Sequence, residues 1–133
     1  MKRDWLGVSV IALSLLGLPF ILPHIIEDFA EEITRRAGLS TAGGAFLLGG
    51  YLALQSLGLV LIALGRRAGF VLTFWIGLIW TAGAVLDHGH ALVGVEFRSG
   101  VLSVLWVAGL IVTQSACAVL AAWGAWGRRG RVG

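Results

Sequence analysis

The chain has 133 residues, of which 58% are hydrophobic and only 13% are charged, and its mean hydropathy is +0.92. This length allows one domain, and the composition excludes a soluble fold, because soluble domains are about one quarter charged. The net charge of +3 does not indicate nucleic-acid binding, since the basic residues form short clusters beside apolar runs, a pattern typical of membrane orientation signals.

The first uncharged run extends from Trp5 to Ile26. A helix of that length crosses a hydrocarbon core of about 30 Å. The basic residues before the run could also begin a secretory signal peptide, but no cleavage site of the small-x-small kind follows it. We therefore predict a retained transmembrane helix over residues 5–33.

Three further uncharged runs predict three more helices, over residues 42–65, 68–90 and 99–127. None of the runs has a persistent polar face, and the alternation of period two that strands would show is absent. The sequence therefore predicts an all-α protein, an integral membrane four-helix bundle with short loops. The whole chain, residues 1–133, forms a single transmembrane domain in this interpretation.

The charges predict the orientation of the bundle. With the N-terminus inside, the basic residues divide into seven cytoplasmic ones (Lys2, Arg3, Arg66, Arg67, Arg128, Arg129, Arg131) and three outer ones (Arg35, Arg36, Arg98). This bias agrees with the positive-inside rule, and it also places every histidine and every acid except Asp4 on the outer side. We predict a protein of the cytoplasmic or plasma membrane with both termini in the cytoplasm.

Small residues predict close contacts between helices. The second helix carries a stripe of small residues spaced by four, namely Ala45, Gly49 and Ala53. Such a stripe lets another backbone approach closely, either within the bundle or in a homo-oligomer, and packing within the bundle is favoured. Further gaps that could serve close packing are expected at Gly58, Gly77 and Gly109.

Two amides lie near the middle of apolar runs, Gln55 in the second and Gln114 in the fourth. An amide in hydrocarbon needs a hydrogen-bond partner, so both side chains should point into the bundle and could bond to each other. We interpret them as structural, because no charged residue accompanies them at that depth. The single cysteine, Cys117, excludes an intramolecular disulfide and indicates a packing role.

Residues capable of metal ligation or proton transfer concentrate where the first helix leaves the membrane. If this helix continues past Pro23, one of its faces carries His24, Glu27, Asp28 and Glu31, which follow the helical spacing of three and four. The third helix ends at the same boundary with Asp87 and His90 on one face, and His88 is expected to point elsewhere.

Together the two helix ends predict a set of two histidines and two carboxylates at the outer mouth of the bundle. Imidazole and carboxylate suit divalent metals, and helix bundles build such sites from pairs spaced by three residues. Haem is a second possibility, with His24 and either His88 or His90 as axial ligands. The alternative interpretation is that these are ordinary polar residues at a water interface.

Three classes of function follow from this pattern. The favoured one is a binding or accessory protein that holds a metal, haem, quinone or lipid at its outer mouth, or that docks on a larger membrane complex. The alternative is a small membrane enzyme that acts on a lipid-soluble substrate through histidine and carboxylate acid-base chemistry. A proton or ion pathway is least favoured, because the spans lack ionisable residues at mid-depth.

Overall fold

The computed structural model of the chain describes residues 5–30, 33–88 and 100–127. Throughout these residues the regular structure is helical. The helices are α1 (Trp5–Ala30), α2 (Ile33–Arg36), α3 (Thr41–Ala63), α4 (Arg67–His88) and α5 (Val101–Trp126). The short α2 lies between α1 and α3, and the other four helices form the bundle.

The four long helices have 22 to 26 residues, and each is apolar enough to cross a membrane. A helix of 22 residues is about 33 Å long, which exceeds a hydrocarbon core of about 30 Å. α1 continues through Pro19 and Pro23, although each proline removes one backbone hydrogen bond. His24, Glu27 and Asp28 therefore belong to the same helix as the apolar run before them.

The bundle has one loose seam. α5 packs against both α1 and α4, and α3 packs mainly on α4. The contact between α3 and α1 is much less extensive than these three contacts, and we call the boundary between α1 and α3 the loose seam. The order around the bundle is therefore α1, α5, α4, α3. Sequential long helices run antiparallel, so α1 and α4 end where α5 begins, and we call this the histidine end.

The buried core consists of two groups of side chains. The group nearer the α3–α4 turn contains Val10, Ile62, Phe70, Cys117, Ala121 and Ala125. The group nearer the histidine end contains Ile21, Ala84 and Leu110. All four long helices contribute to the first group, whereas α3 contributes no residue to the second. The loose seam therefore lies beside the second group.

Glycine makes the α3–α4 hairpin possible. Gly65 has a φ of +70°, a conformation that other residues rarely adopt, and the Arg66 N–H then donates to the Leu61 carbonyl at 2.8 Å. A Cβ on Gly69 would lie 2.5 Å from the Ile62 backbone nitrogen and 2.7 Å from the Gly58 carbonyl oxygen. The two backbones are therefore in direct contact, and a larger residue at position 69 would separate them.

The small-residue stripe of α3 lies elsewhere than expected. Ala45, Gly49 and Ala53 are all exposed, and a Cβ on Gly49 would meet no described atom within 4 Å. The stripe therefore does not pack within this bundle, which corrects the favoured interpretation. The buried residues of α3 are Gly44, Gln55, Gly58 and Ile62. α4 covers this face at Gly58 and Ile62, and Thr34 and Phe29 cover it at Gly44.

The two amides are buried but have different surroundings. Gln55 donates to the Ser14 hydroxyl at 2.9 Å and accepts from the Trp80 indole N–H at 3.0 Å, so it connects α3 with α1 and α4. Gln114 is 1% exposed and lies against Gly17 of α1. The partners of Gln55 are therefore Ser14 and Trp80 rather than Gln114.

Candidate metal centre

The last two turns of α1 place His24 and Asp28 at the histidine end. The two residues are one helical turn apart, and His24 Nε2 lies 3.4 Å from Asp28 Oδ2. His24 is only 5% exposed, which makes it one of the most buried polar residues described. Its Nδ1 has no hydrogen-bond partner among the described residues. A buried imidazole nitrogen in this state carries a desolvation cost, and a metal bound at Nε2, the nitrogen that faces Asp28, would not relieve it.

The C-terminal end of α4 brings His88 to the same place. His88 Nε2 lies 3.6 Å from Asp28 Oδ1 and 3.4 Å from Asp87 Oδ2. The rings of His24 and His88 are in edge contact, with their centroids 4.8 Å apart. His88 follows Ala84 by one helical turn, and Ala84 is buried in the core, so both side chains face the bundle interior.

These positions correct one expectation from the sequence. His88 does not point away from the cluster but belongs to it, because the buried face of α4 runs through Ala84 and His88. Of the acids predicted on the same face of α1 as His24, Asp28 is the one whose carboxylate lies 3.4 Å from the imidazole. Two further candidates, Glu31 and His90, lie outside the described residues, as does Glu96.

Glu27 has a different role, because it connects α1 to α5. Its two carboxylate oxygens each lie 2.8 Å from the Ser103 hydroxyl, and the Trp106 indole N–H donates to Oε2 at 2.9 Å. Ser103 and Trp106 are three residues apart and therefore share one face of α5. The sequence predicted Trp106 only as an aromatic residue that could line a haem pocket, and it did not predict Ser103. Their spacing of three, opposite a helix end that carries carboxylates, was the available signal.

The geometry of His24, Asp28 and His88, here called the trio, is suited to a metal ion. One ligand atom from each residue lies within 4.8 Å of the other two. Around a tetrahedral zinc ion with bonds of about 2.0–2.1 Å, neighbouring ligand atoms are about 3.3 Å apart. The observed separations of 3.4 and 3.6 Å between imidazole nitrogens and the two oxygens of Asp28 are close to that spacing, whereas the widest separation within the trio, up to 4.8 Å, would have to shorten around a tetrahedral ion.

Electrostatics at the histidine end also favour a cation. Asp28 and Asp87 carry negative charge beside imidazoles that are neutral in their metal-binding form. The trio lies in the last turns of α1 and α4, whose C-termini carry partial negative charge, but α3 and α5 begin at the same end with partial positive charge, so the carboxylates rather than the helix dipoles provide this preference. Asp87 has a side chain that is 45% exposed, so its carboxylate can approach an ion from the open side.

An open pocket adjoins the trio. Its volume is about 440 Å³, and it is bounded by His24 and Asp28 on α1 and by Trp80, Gly83 and Asp87 on α4. Trp80 and Asp87 are seven residues apart, so the pocket extends about 10 Å along α4. None of the described residues that line it is a lysine or arginine.

The His24–His88 pair fits a single metal ion better than haem, and the other predicted axial pair, His24 with His90, includes a residue that lies outside the described ones. Axial histidines of a haem lie on opposite faces of the macrocycle, whereas the His24 and His88 rings touch each other directly. No porphyrin can lie between them in this structure. The chain matches no protein-family model, and neither curated proteins nor solved structures show a significant match to it.

Proposed function

We propose that this chain is an integral membrane protein that binds one divalent transition-metal ion through His24, Asp28 and His88. The observation that carries the proposal is the convergence of three ligand atoms within 4.8 Å. They come from two helices that are far apart in sequence, and one of the imidazoles is almost completely buried. A chance grouping of polar residues at a water interface would leave such side chains solvated.

The surface of the bundle supports its location in lipid. Large hydrophobic side chains are exposed around it, for example Phe46, Leu86 and Val101, each more than 80% exposed. An apolar surface of this extent is costly in water and favourable in hydrocarbon. Arg66 and Arg67 stand at the turn opposite the histidine end. By the positive-inside rule this turn is cytoplasmic, and the metal centre then faces the other side.

The ligand atoms of the trio indicate which metals the site can bind. Two imidazoles and a carboxylate suit zinc, manganese or iron, and three protein ligands with one open position are the pattern of non-structural zinc sites. The thiol of Cys117 cannot join the set, because it packs in the core group nearer the α3–α4 turn, where it contacts the Val10 carbonyl. We therefore take Zn²⁺ as the ion that the site fits best, with the open position facing the pocket.

Elemental analysis of the detergent-purified protein tests this proposal. After incubation with zinc and removal of the free ion, we expect about one zinc per chain, and a loss of at least about tenfold in the variants His24→Ala and His88→Ala. Glu27→Gln is the matched control, because it changes a neighbouring carboxylate whose partners are Ser103 and Trp106. It should retain zinc at the level of the unmodified protein.

Circular dichroism and gel filtration establish that each variant is folded before the zinc contents are compared. The proposal is wrong if the unmodified protein holds no zinc, manganese or iron after loading. It is also wrong if both histidine variants hold as much metal as Glu27→Gln.

A further inference from the structure

Trp80 forms the wall of the pocket on the side toward the α3–α4 turn, and its ring is held in place by neighbouring side chains. Trp80 donates its indole N–H to Gln55 at 3.0 Å, and its ring makes an edge contact with the Tyr51 ring at 5.0 Å. Tyr51 in turn donates to the Ile76 carbonyl at 2.6 Å. These contacts hold the indole in one orientation, so Trp80 lines the pocket as a fixed aromatic side chain rather than a mobile one.

The rim of the pocket is open on the outward side of α4. Gly83 is exposed, and a Cβ there would meet no described atom within 4 Å. Leu86, also on the rim, is 83% exposed. Gly83 belongs to the apolar run of α4, and Leu86 directly precedes Asp87 and His88, so the opening lies where the apolar run meets the polar end of the helix. A ligand that reaches the pocket past Gly83 comes from the lipid phase.

The chemistry of the lining favours a neutral headgroup. Asp28 and Asp87 lie at the polar end of the pocket, and no lysine or arginine is among the described residues that line it. The proposed Zn²⁺ and these two carboxylates together carry no net charge, so a phosphate gains no net electrostatic attraction there. Neutral carbonyl or hydroxyl oxygens, in contrast, can bond to imidazole and carboxylate groups or occupy an open metal position.

From these features we infer that the pocket binds a membrane-soluble quinone or quinol, with its ring against Trp80 and one of its oxygens at the trio. This inference rests on the proposed function, because the trio forms the polar end of the pocket, and it adds the chemical class of the ligand. A planar ring stacks on an indole face, and a volume of about 440 Å³ is within the usual range of small-molecule sites. The isoprenoid tail would leave past Gly83 into the lipid.

Two glycines provide a matched pair of variants to test the inference. Gly83→Leu fills the rim of the pocket, whereas Gly49→Leu adds the same side chain to the exposed face of α3, where a Cβ also meets open space. Decylubiquinone is titrated into each detergent-purified protein and binding is measured by calorimetry. We expect Gly83→Leu to weaken binding by about tenfold or more and Gly49→Leu to leave it unchanged. Both variants should keep their zinc.

The zinc content measured on the same samples separates the two proposals. No binding of decylubiquinone by the zinc-loaded protein, or equal affinity in the two glycine variants, overturns the quinone inference and leaves the metal site standing. Binding that depends on Gly83 in a protein that takes up no zinc supports the quinone inference and contradicts the metal. Displacement of decylubiquinone by phosphatidylglycerol at equal concentration overturns the assignment of a neutral headgroup.

Discussion

Replacing Ser103 with alanine tests the connection between α1 and α5 at the histidine end. The Ser103 hydroxyl lies 2.8 Å from both oxygens of Glu27, and because it has one proton it contributes one shared hydrogen bond. Ser103 is 1% exposed, so water does not replace the hydroxyl readily. A hydrogen bond to a charged group contributes about 1.5–3 kcal/mol. Because Trp106 still donates to Glu27 in the variant, we expect a loss in the lower half of this range.

The free energy of unfolding is measured by titrating the protein in mixed micelles with sodium dodecyl sulfate and following the helical circular dichroism. Ser56→Ala is the control, since the exposed Ser56 hydroxyl bonds only to Leu52 of its own helix among the contacts described, and its effect should stay within about 0.5 kcal/mol. In a Glu27→Gln background the effect of Ser103→Ala should shrink, because the charge is gone. Equal stabilities of Ser103→Ala and Ser56→Ala would refute the reasoning.

Three further predictions concern the metal centre and the core. Asp28→Asn should weaken zinc binding by about thirtyfold or more, since a divalent ion and a carboxylate attract by about 2 kcal/mol in water even at about 4 Å, and a bound carboxylate is closer. Asp87→Asn, which changes the more exposed carboxylate beside His88, should weaken it less, and a dye-competition assay measures both. Acidification from about pH 7 to about pH 4 should release zinc, because protons compete for imidazole and carboxylate, and dialysis followed by elemental analysis measures this. Gln55→Leu should lower the free energy of unfolding by about 1–3 kcal/mol, because its two buried partners lose their hydrogen bonds, and the micelle titration checks this.

The spans were predictable because the length of an apolar run is a property of the sequence alone. Charged residues at Glu27 and Arg66 end the first two runs, and the structure has helices long and apolar enough to cross a membrane in these places. The meeting of His24 with the end of α4 was also predictable. Helices joined by short loops run antiparallel, so the end of the first and the end of the third lie at the same end of the bundle.

The details of the site depend on how each helix is rotated about its axis. An apolar run without a polar face carries no signal for that rotation. Packing sets it instead, for example Phe20 of α1 against Gly109 of α5. For this reason the sequence did not distinguish Asp28 from Glu27 as the partner of His24, and it assigned His88 to the wrong face of α4.

The same limit explains the small-residue stripe. Spacing of four identifies a face of α3 that another helix could approach, but it does not show which face the rest of the chain covers. α4 covers the face of Gly58 and Ile62, so Gly49 and its neighbours are left outside. The tight backbone contact at Gly69 is one packing feature that holds α3 in this rotation.

X-ray absorption at the zinc edge is the decisive experiment for the metal centre, because it measures the ligand atoms around the bound ion. For the zinc-loaded protein we expect two imidazole nitrogens and at least one oxygen at about 2.0–2.2 Å, with one imidazole lost in His24→Ala and one lost in His88→Ala. A shell of oxygen alone, a sulfur at about 2.3 Å, or a spectrum that neither histidine variant changes would show that the trio does not bind the ion.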